Sequence, residues 1–173
     1  KNKIKVFGPN KAAAELEGSK IFTKNLCKKY NIPTAKFAIC QNISEAQEFT
    51  KKSKYPLVIK ADGLASGKGV YICTNNNEAQ SAINEIFNGK FGIAKNLLIE
   101  EFLEGEEMSY FIISDGKTFK SFDTAQDHKR VLEGDLGKNT GGMGAYSPSR
   151  MINDKLENKI IKKIIEPTIK GLE

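Results

Sequence analysis

No stretch of this 173-residue chain approaches the apolar run of about 18 residues that a membrane-crossing helix needs. The N-terminal Lys1-Asn-Lys-Ile-Lys-Val-Phe-Gly-Pro9 is basic but lacks the apolar h-region of a signal peptide. Cysteine is scarce: Cys27, Cys40 and Cys73 are odd in number and too widely spaced for a CxxC zinc or redox pair. They sit in apolar contexts, where a free thiol behaves as a small hydrophobe, which favours a reducing compartment and hence the cytoplasm. His128 is the one histidine, so a catalytic cysteine has little choice of basic partner. There is no Arg-rich tract and no aromatic ladder among the basic residues, so the net charge of +6 reads as solvated lysines rather than as a nucleic-acid surface. Internal repeats and low-complexity tracts are also absent. The chain begins without Met and stops on Gly171-Leu-Glu173, and both ends read as cuts within a longer protein.

What the chain does have is Pro56-Leu-Val-Ile-Lys60-Ala-Asp-Gly63-Leu-Ala-Ser66-Gly67-Lys68-Gly69-Val-Tyr-Ile-Cys73. Two short runs of β-branched and aromatic residues flank a glycine-rich turn, the pattern of a hairpin. Gly63, Gly67 and Gly69 permit positive φ and leave no Cβ in the way, so backbone N–H groups can close around an anion. Lys60 before the turn and Lys68 inside it add charges suited to phosphate oxygens. The combination points to nucleotide phosphate. It is not a Walker loop: only three residues separate Gly63 from Gly67, Gly69 stands where Ser or Thr should reach a metal, and a strand follows instead of a helix. Nor is it a kinase loop, because Lys60 precedes the turn and no His-Arg-Asp or Asp-Phe-Gly follows.

Around this hairpin the spacing predicts a helix over 19–31 capped by Ser19, a strand at Lys36–Gln41, and a helix over about 45–53 with Ser44 and Gln47 as capping box. Asn76 or Asn77 should cap a further helix that Gly89 stops. Leu97–Leu103 and Met108–Ser114 read as strands, and Asp115-Gly116 as a hairpin turn. Residues 125–149 are polar and aperiodic, which predicts a long loop, functional or disordered. Asn153 should cap a last helix carrying Leu156, Ile160, Ile161, Ile164, Ile165 and Ile169, kinked or shortened by Pro167.

Gly18-Ser-Lys20, Lys60 before a glycine hairpin, the strand end Ile99-Glu-Glu101-Phe-Leu103 and then Glu107 occur in an order that resembles the ATP-grasp superfamily. Two longer segments sharpen this. Lys60-Ala-Asp-Gly-Leu-Ala-Ser-Gly-Lys-Gly-Val70, and Gln126-Asp-His-Lys-Arg130 followed by Asn139-Thr-Gly-Gly-Met-Gly-Ala-Tyr-Ser-Pro148, look like the phosphoribosylamine–glycine ligase family, from about Gly8 onward. The resemblance implies an α+β ATP-grasp fold, two α+β lobes with the nucleotide between them and the second lobe truncated. Residues 1–18 would be a linker from a missing N-terminal domain, 19–95 the small lobe with its glycine-rich lid, and 96–173 the first part of the large lobe.

Carried onto this chain, the family implies that Lys20 and Lys60 contact ATP phosphates and that Gly63, Ser66, Gly67, Lys68 and Gly69 form a lid over them. Glu100, Glu101 and Leu103 would serve adenine, chiefly through backbone groups, and Glu107 the ribose. Asp127, Lys129, Arg130, Asn139, Thr140, Gly141, Gly142 and Met143 would lie on the substrate side. The implied reaction joins glycine to 5-phosphoribosylamine through a glycyl phosphate, with ATP and Mg2+ or Mn2+, and with neither nucleic acid nor membrane as partner. Such chemistry rests on positioning and on neutralising phosphoryl charge, so no residue is singled out as a catalytic nucleophile. The family's metal-binding Glu and Asn belong to a strand downstream of Glu173, so no metal ligand is expected here. A non-catalytic nucleotide-binding regulatory module is the alternative, and a downstream Glu-x-Asn would decide for the ligase.

Overall fold

The computed structural model describes residues 6–65, 68–134 and 136–173, and the chain divides into two units, Lys1–Leu103 and Glu104–Glu173. The first begins with two helices, α1 (Lys11–Gly18) and α2 (Lys20–Lys29). Asn10 caps α1 by accepting from the Ala13 N–H, so residues 11–18 of the segment expected to form a linker are helical. Ser19 caps α2 as the sequence suggests, its Oγ accepting from the Phe22 N–H.

Next come β1 (Phe37–Cys40), α3 (Ile43–Lys52), β2 (Leu57–Ala61), β3 (Val70–Cys73), α4 (Asn76–Phe87) and β4 (Leu97–Glu101). The strands form one antiparallel sheet in the order β1-β4-β2-β3. The two units divide at 103/104, where the sequence reading set a boundary at 95/96. The Leu-Leu-Ile run of β4 is hydrophobic on both faces because it lies between β1 and β2, and it completes the first sheet rather than opening the second lobe.

Both helix caps also sit earlier than the sequence reading placed them. Asn42 caps α3, accepting from the Glu45 N–H while Glu45 returns to the Gln41 N–H at 2.8 Å; Asn75 and Glu78 repeat the device on α4. An amide oxygen and a glutamate satisfy the orphan donors as well as the Ser–Gln pair would have done, and the signal simply lay upstream. Gly89 stops α4 as expected, with φ of +87°. Leu57, Ile59 and Ala61 of β2 point with Cys40, Cys73, Leu97 and Ile99 toward Ala79, Ala82, Ile83 and Ile86 of α4, and this is the core. The opposite face carries Val58, Lys60, Leu98 and Glu100, because the register pairs Val58 with Glu100 and Lys60 with Leu98.

The second unit holds three two-stranded ladders and a helix. Strands β5 (Ile112–Ser114) and β6 (Phe119–Ser121) form the hairpin around Asp115-Gly116, whose carboxylate accepts from the Lys117 and Thr118 N–H groups. The segment expected to be loop contains β7 (Gln126–Asp127), β8 (Arg130–Leu132), β9 (Leu136–Asn139) and β10 (Ala145–Tyr146), pairing β7 with β10 and β8 with β9. These strands are two to four residues long, too short to print a period on the sequence.

The last helix runs as α5 (Asp154–Ile160), a π-helical stretch Ile161–Ile165, and α6 (Glu166–Leu172), capped by Asn153. Pro167 cannot donate to the fourth residue back and its ring crowds that carbonyl. The wider π turn just before it absorbs the misfit, so the helix continues instead of ending.

Three outcomes test this packing. Ile83→Ala removes a side chain with no solvent exposure and should cost about 2–5 kcal/mol in urea unfolding. Burial also pushes the Cys40 and Cys73 thiols up from their ordinary 9.0 to about 11. Both should therefore resist alkylation at pH 8 in the folded protein and react once it unfolds. Because their folded values are raised, stability should fall as the pH climbs through the window from 9 to about 11.

Candidate functional site

Glu100 anchors the open face of the first sheet. Its side chain is 4% exposed on the central strand, and it forms ion pairs with both Lys24 of α2 and Lys60 of β2. A carboxylate so removed from water is tolerable only with such compensation. Lys24 also donates to Thr34 Oγ1 at 2.5 Å and lies 5.6 Å from the centre of the Phe37 ring. Lys60 keeps 27% exposure, so its ammonium is held at one side by Glu100 and remains open at the other. Sequence reasoning had placed Lys60 and Glu100 at separate tasks. Their partnership follows from the register, which sets them diagonally across β2 and β4 on one face, and Lys24 was missed altogether.

The hairpin rises from the same strand end. Asp62 accepts from the Ser19 hydroxyl and the Ile21 N–H, and Lys20 Nζ donates to Gly63 O at 2.8 Å, so the start of α2 is tied to the foot of the turn. Gly63 has φ of +85° and Leu64 is exposed. A Cβ on Gly69 would come within 2.7 Å of Ala65 Cβ and 3.1 Å of Ala61 Cβ, so that position admits glycine alone. Lys68 is exposed, and Ser66 and Gly67 lie outside the described residues. At the far end of β4, Glu101 is engaged with β1, its carboxylate accepting from the Lys36 N–H at 2.8 Å. Leu103 lies beyond the last ladder pair, Leu57–Glu101, and its side chain is exposed. Its peptide groups are thus not part of the sheet.

The second unit gathers the other candidates. Lys129 Nζ is 3.2 Å from Asp127 and 3.4 Å from Glu107, so the residue expected at the ribose shares a cation with the first of the substrate-side residues. The hydrogen bond to Asp127, and then the charge of Glu107, hold the Lys129 ammonium above its usual range. Arg130 Nη1 donates to Gly137 O, and its backbone pairs in register with Asn139, whose side chain is not among those described. Thr140 Oγ1 donates to His128 O at 2.5 Å and accepts from the Gly142 N–H. Gly141 and Gly142 have positive φ, and Met143 is 73% exposed. His128 stacks obliquely on Tyr146, 5.4 Å between ring centres, and so acts as a packing residue of this turn. Sequence reasoning also passed over a buried polar knot of Thr124, Gln126 and Ser149 beneath the turn. Polar residues in an aperiodic stretch carry no sign of burial. Among the described residues, no three His, Cys, Asp or Glu side chains converge to hold a metal ion, and no helix is long and apolar enough to cross a membrane.

A family model described as the phosphoribosylglycinamide synthetase ATP-grasp (A) domain matches residues 18–173. The phosphoribosylamine–glycine ligase of Mesorhizobium japonicum is 51% identical over 170 residues, covering 98% of this chain and 40% of that protein. The chloroplastic enzyme of the same name from Arabidopsis thaliana is 50% identical over 171 residues, covering 98% of this chain and 32% of that one. The chain therefore spans about 40% of the length of the bacterial relatives it matches. Among solved structures, the phosphoribosylamine–glycine ligase of Thermotoga maritima superposes with a TM-score of 0.82 at 41% identity, over 96% of this chain and 42% of that one. A D-alanyl-alanine synthetase A from Vibrio cholerae superposes at 0.74 over 98% of this chain and 52% of that one, but at 16% identity, a likeness of fold alone.

Replacing Glu100 by Ala should leave two ammonium groups facing an unfilled position. The expected loss is about 3 kcal/mol in urea unfolding, the low end for a broken buried pair because both lysines keep some water. Glu100→Gln should lose less, and equal stability of Glu100→Ala and the parent chain would show that the pairs do not hold this face.

Proposed function

The chain belongs to the phosphoribosylglycinamide synthetase ATP-grasp (A) domain family, and from that premise we propose that it is the ATP-binding part of an enzyme that joins glycine to 5-phosphoribosylamine. The observation that carries the reading is identity near one half, sustained over 98% of the chain, with relatives of that name. ATP, glycine and 5-phosphoribosylamine would give ADP, phosphate and glycinamide ribonucleotide. A glycine carboxylate oxygen attacks the γ-phosphorus and ADP leaves; the amine then attacks the acyl carbon and phosphate leaves, the amine proton passing to solvent.

In this reading Lys60 gives its open side to the phosphates while Glu100 keeps its ammonium fixed on a strand. Lys20 and the hairpin from Gly63 to Gly69 complete the cradle, in which the missing Cβ of Gly69 lets the hairpin close against Ala61 and Ala65. The peptide groups near Leu103 would pair with an adenine edge, and Glu107 would hold ribose hydroxyls. Asp127, Lys129, Arg130 and the turn from Asn139 to Met143 would hold the phosphoribosylamine and orient its amine. A divalent cation, Mg2+ or Mn2+, would neutralise phosphoryl charge; the described residues offer it no set of ligands, so it is not assigned to them. Three free cysteines suit a reducing compartment, and we place the enzyme in the cytoplasm.

Two measurements on the full-length protein test the reading. ADP release should require both glycine and 5-phosphoribosylamine; release indifferent to either one refutes it. Lys60→Ala should weaken ATP binding or turnover at least about tenfold, the scale of one charge-assisted hydrogen bond, as read by calorimetric titration and steady-state rates.

A further inference from the structure

The turn from Asp127 to Tyr146 carries every substrate-side candidate, and both of its ends meet at one side chain. Gln126 is 9% exposed and opens the turn on β7; Tyr146 closes it on β10, directly opposite in the ladder. The Gln126 Oε1 accepts from the Tyr146 hydroxyl at 2.6 Å and from the Ser149 hydroxyl at 2.9 Å. Its Nε2 donates to Glu106 Oε2 at 3.2 Å. The orientation of the amide follows from its partners, since the Glu106 carboxylate only accepts and must face the NH2 group. The Ser149 oxygen already accepts from the Met151 N–H, which leaves its own proton to give. Ser149 and Thr124 below it are 2% and 3% exposed, and the Ser149 N–H donates to Thr124 Oγ1 at 2.9 Å.

We propose that Gln126 is a positioning residue that locks Glu107, Asp127 and Lys129 into one cluster by clamping three segments through a single amide. Its backbone neighbour is Asp127, and its partner Glu106 is the backbone neighbour of Glu107. The amide therefore fixes from below the two carboxylates that share the Lys129 ammonium. The amide presents an oxygen that accepts two bonds and an NH2 group that donates, on one rigid plane. Glutamate would put carboxylate against carboxylate at Glu106. Arg150 donates to the same Glu106 Oε2 at 3.1 Å, so one carboxylate oxygen receives both the amide and the guanidinium. The inference deepens the ligase reading and rests on it for the kinetic outcome only.

The test exchanges donor and acceptor across the Glu106–Gln126 contact in the full-length protein. Gln126→Glu should raise the KM for ATP and for phosphoribosylamine together, by about tenfold, with kcat changed much less. The double variant Gln126→Glu with Glu106→Gln re-forms the contact in reverse and gives up only the exposed Arg150–Glu106 pair; it should bring both KM values back to within about threefold of the parent, because the amide again faces the carboxylate. Unchanged KM values in Gln126→Glu, or a rise that the exchange does not reverse, would overturn the proposal. If Gln126→Glu fails to fold, Tyr146→Phe removes one donor to the same oxygen and should raise the same two KM values by about threefold; no change there is equally fatal.

Amide hydrogen exchange separates this proposal from the ligase reading. The N–H groups of His128 and Thr140, bonded within the turn to Gly144 O and Lys129 O, should exchange faster in Gln126→Glu and recover in the double variant, whatever reaction the protein catalyses. A parent protein without ligase activity but with this exchange pattern refutes the ligase reading and leaves the clamp standing. Exchange rates indifferent to both substitutions refute the clamp itself.

Discussion

A single carboxylate, buried in the middle of a sheet and answered by two lysines from different elements, governs the first unit. Glu100 lies on one of the two inner strands of the sheet, where water reaches little of it. Without Lys24 and Lys60 that charge would be untenable; without Glu100 the two ammonium groups would repel each other across the sheet. The arrangement fixes α2 onto one end of the sheet and orients the lysine nearest the glycine hairpin. Stability and the proposed chemistry thus draw on the same three side chains. An anion arriving at Lys60 meets a group already aimed and partly desolvated, which reduces the ordering that binding must impose.

The two units solve the problem of holding a site in different ways. The first encloses an aliphatic core between sheet and helices, and Lys60 and Glu100 stand on the opposite face of the same strands. The second has no fully buried apolar side chain among its described residues, and it relies on a polar knot of Thr124, Gln126 and Ser149. Polar knots are directional, so they define geometry closely where they are complete. They also tolerate little change, because each lost partner strands a buried group.

That contrast explains what could be read from the sequence. The hairpin around Lys60, the cap at Ser19, the stop at Gly89 and the helix beginning at Asn153 were legible because periodicity, glycine and capping residues act locally. The short ladders at 126–127, 130–132, 136–139 and 145–146 were not legible, since pairs so brief leave no alternation. The place of β4 was hidden for another reason: its hydrophobic run announces a strand but not the sheet it joins. The Lys24–Glu100 pair depends on a helix docking over the strand, and the buried role of Gln126 on three distant segments meeting. Neither has a trace in local composition.

The strand order has a consequence for how the first unit comes into being. β4 is the last strand of its sheet to appear along the chain, yet it separates β1 from β2 and contributes the most deeply covered residues. A nascent chain emerging from the ribosome can form α1, α2, α3 and the β2–β3 hairpin from local contacts, but two strand edges stay unsatisfied until Leu97–Glu101 has cleared the tunnel. Completion is then a late, non-local event of the kind that slows folding. Meanwhile β1 and β2 present apolar edges that other chains could occupy, so chaperone dependence would be concentrated in the interval between synthesis of Cys73 and of Leu103.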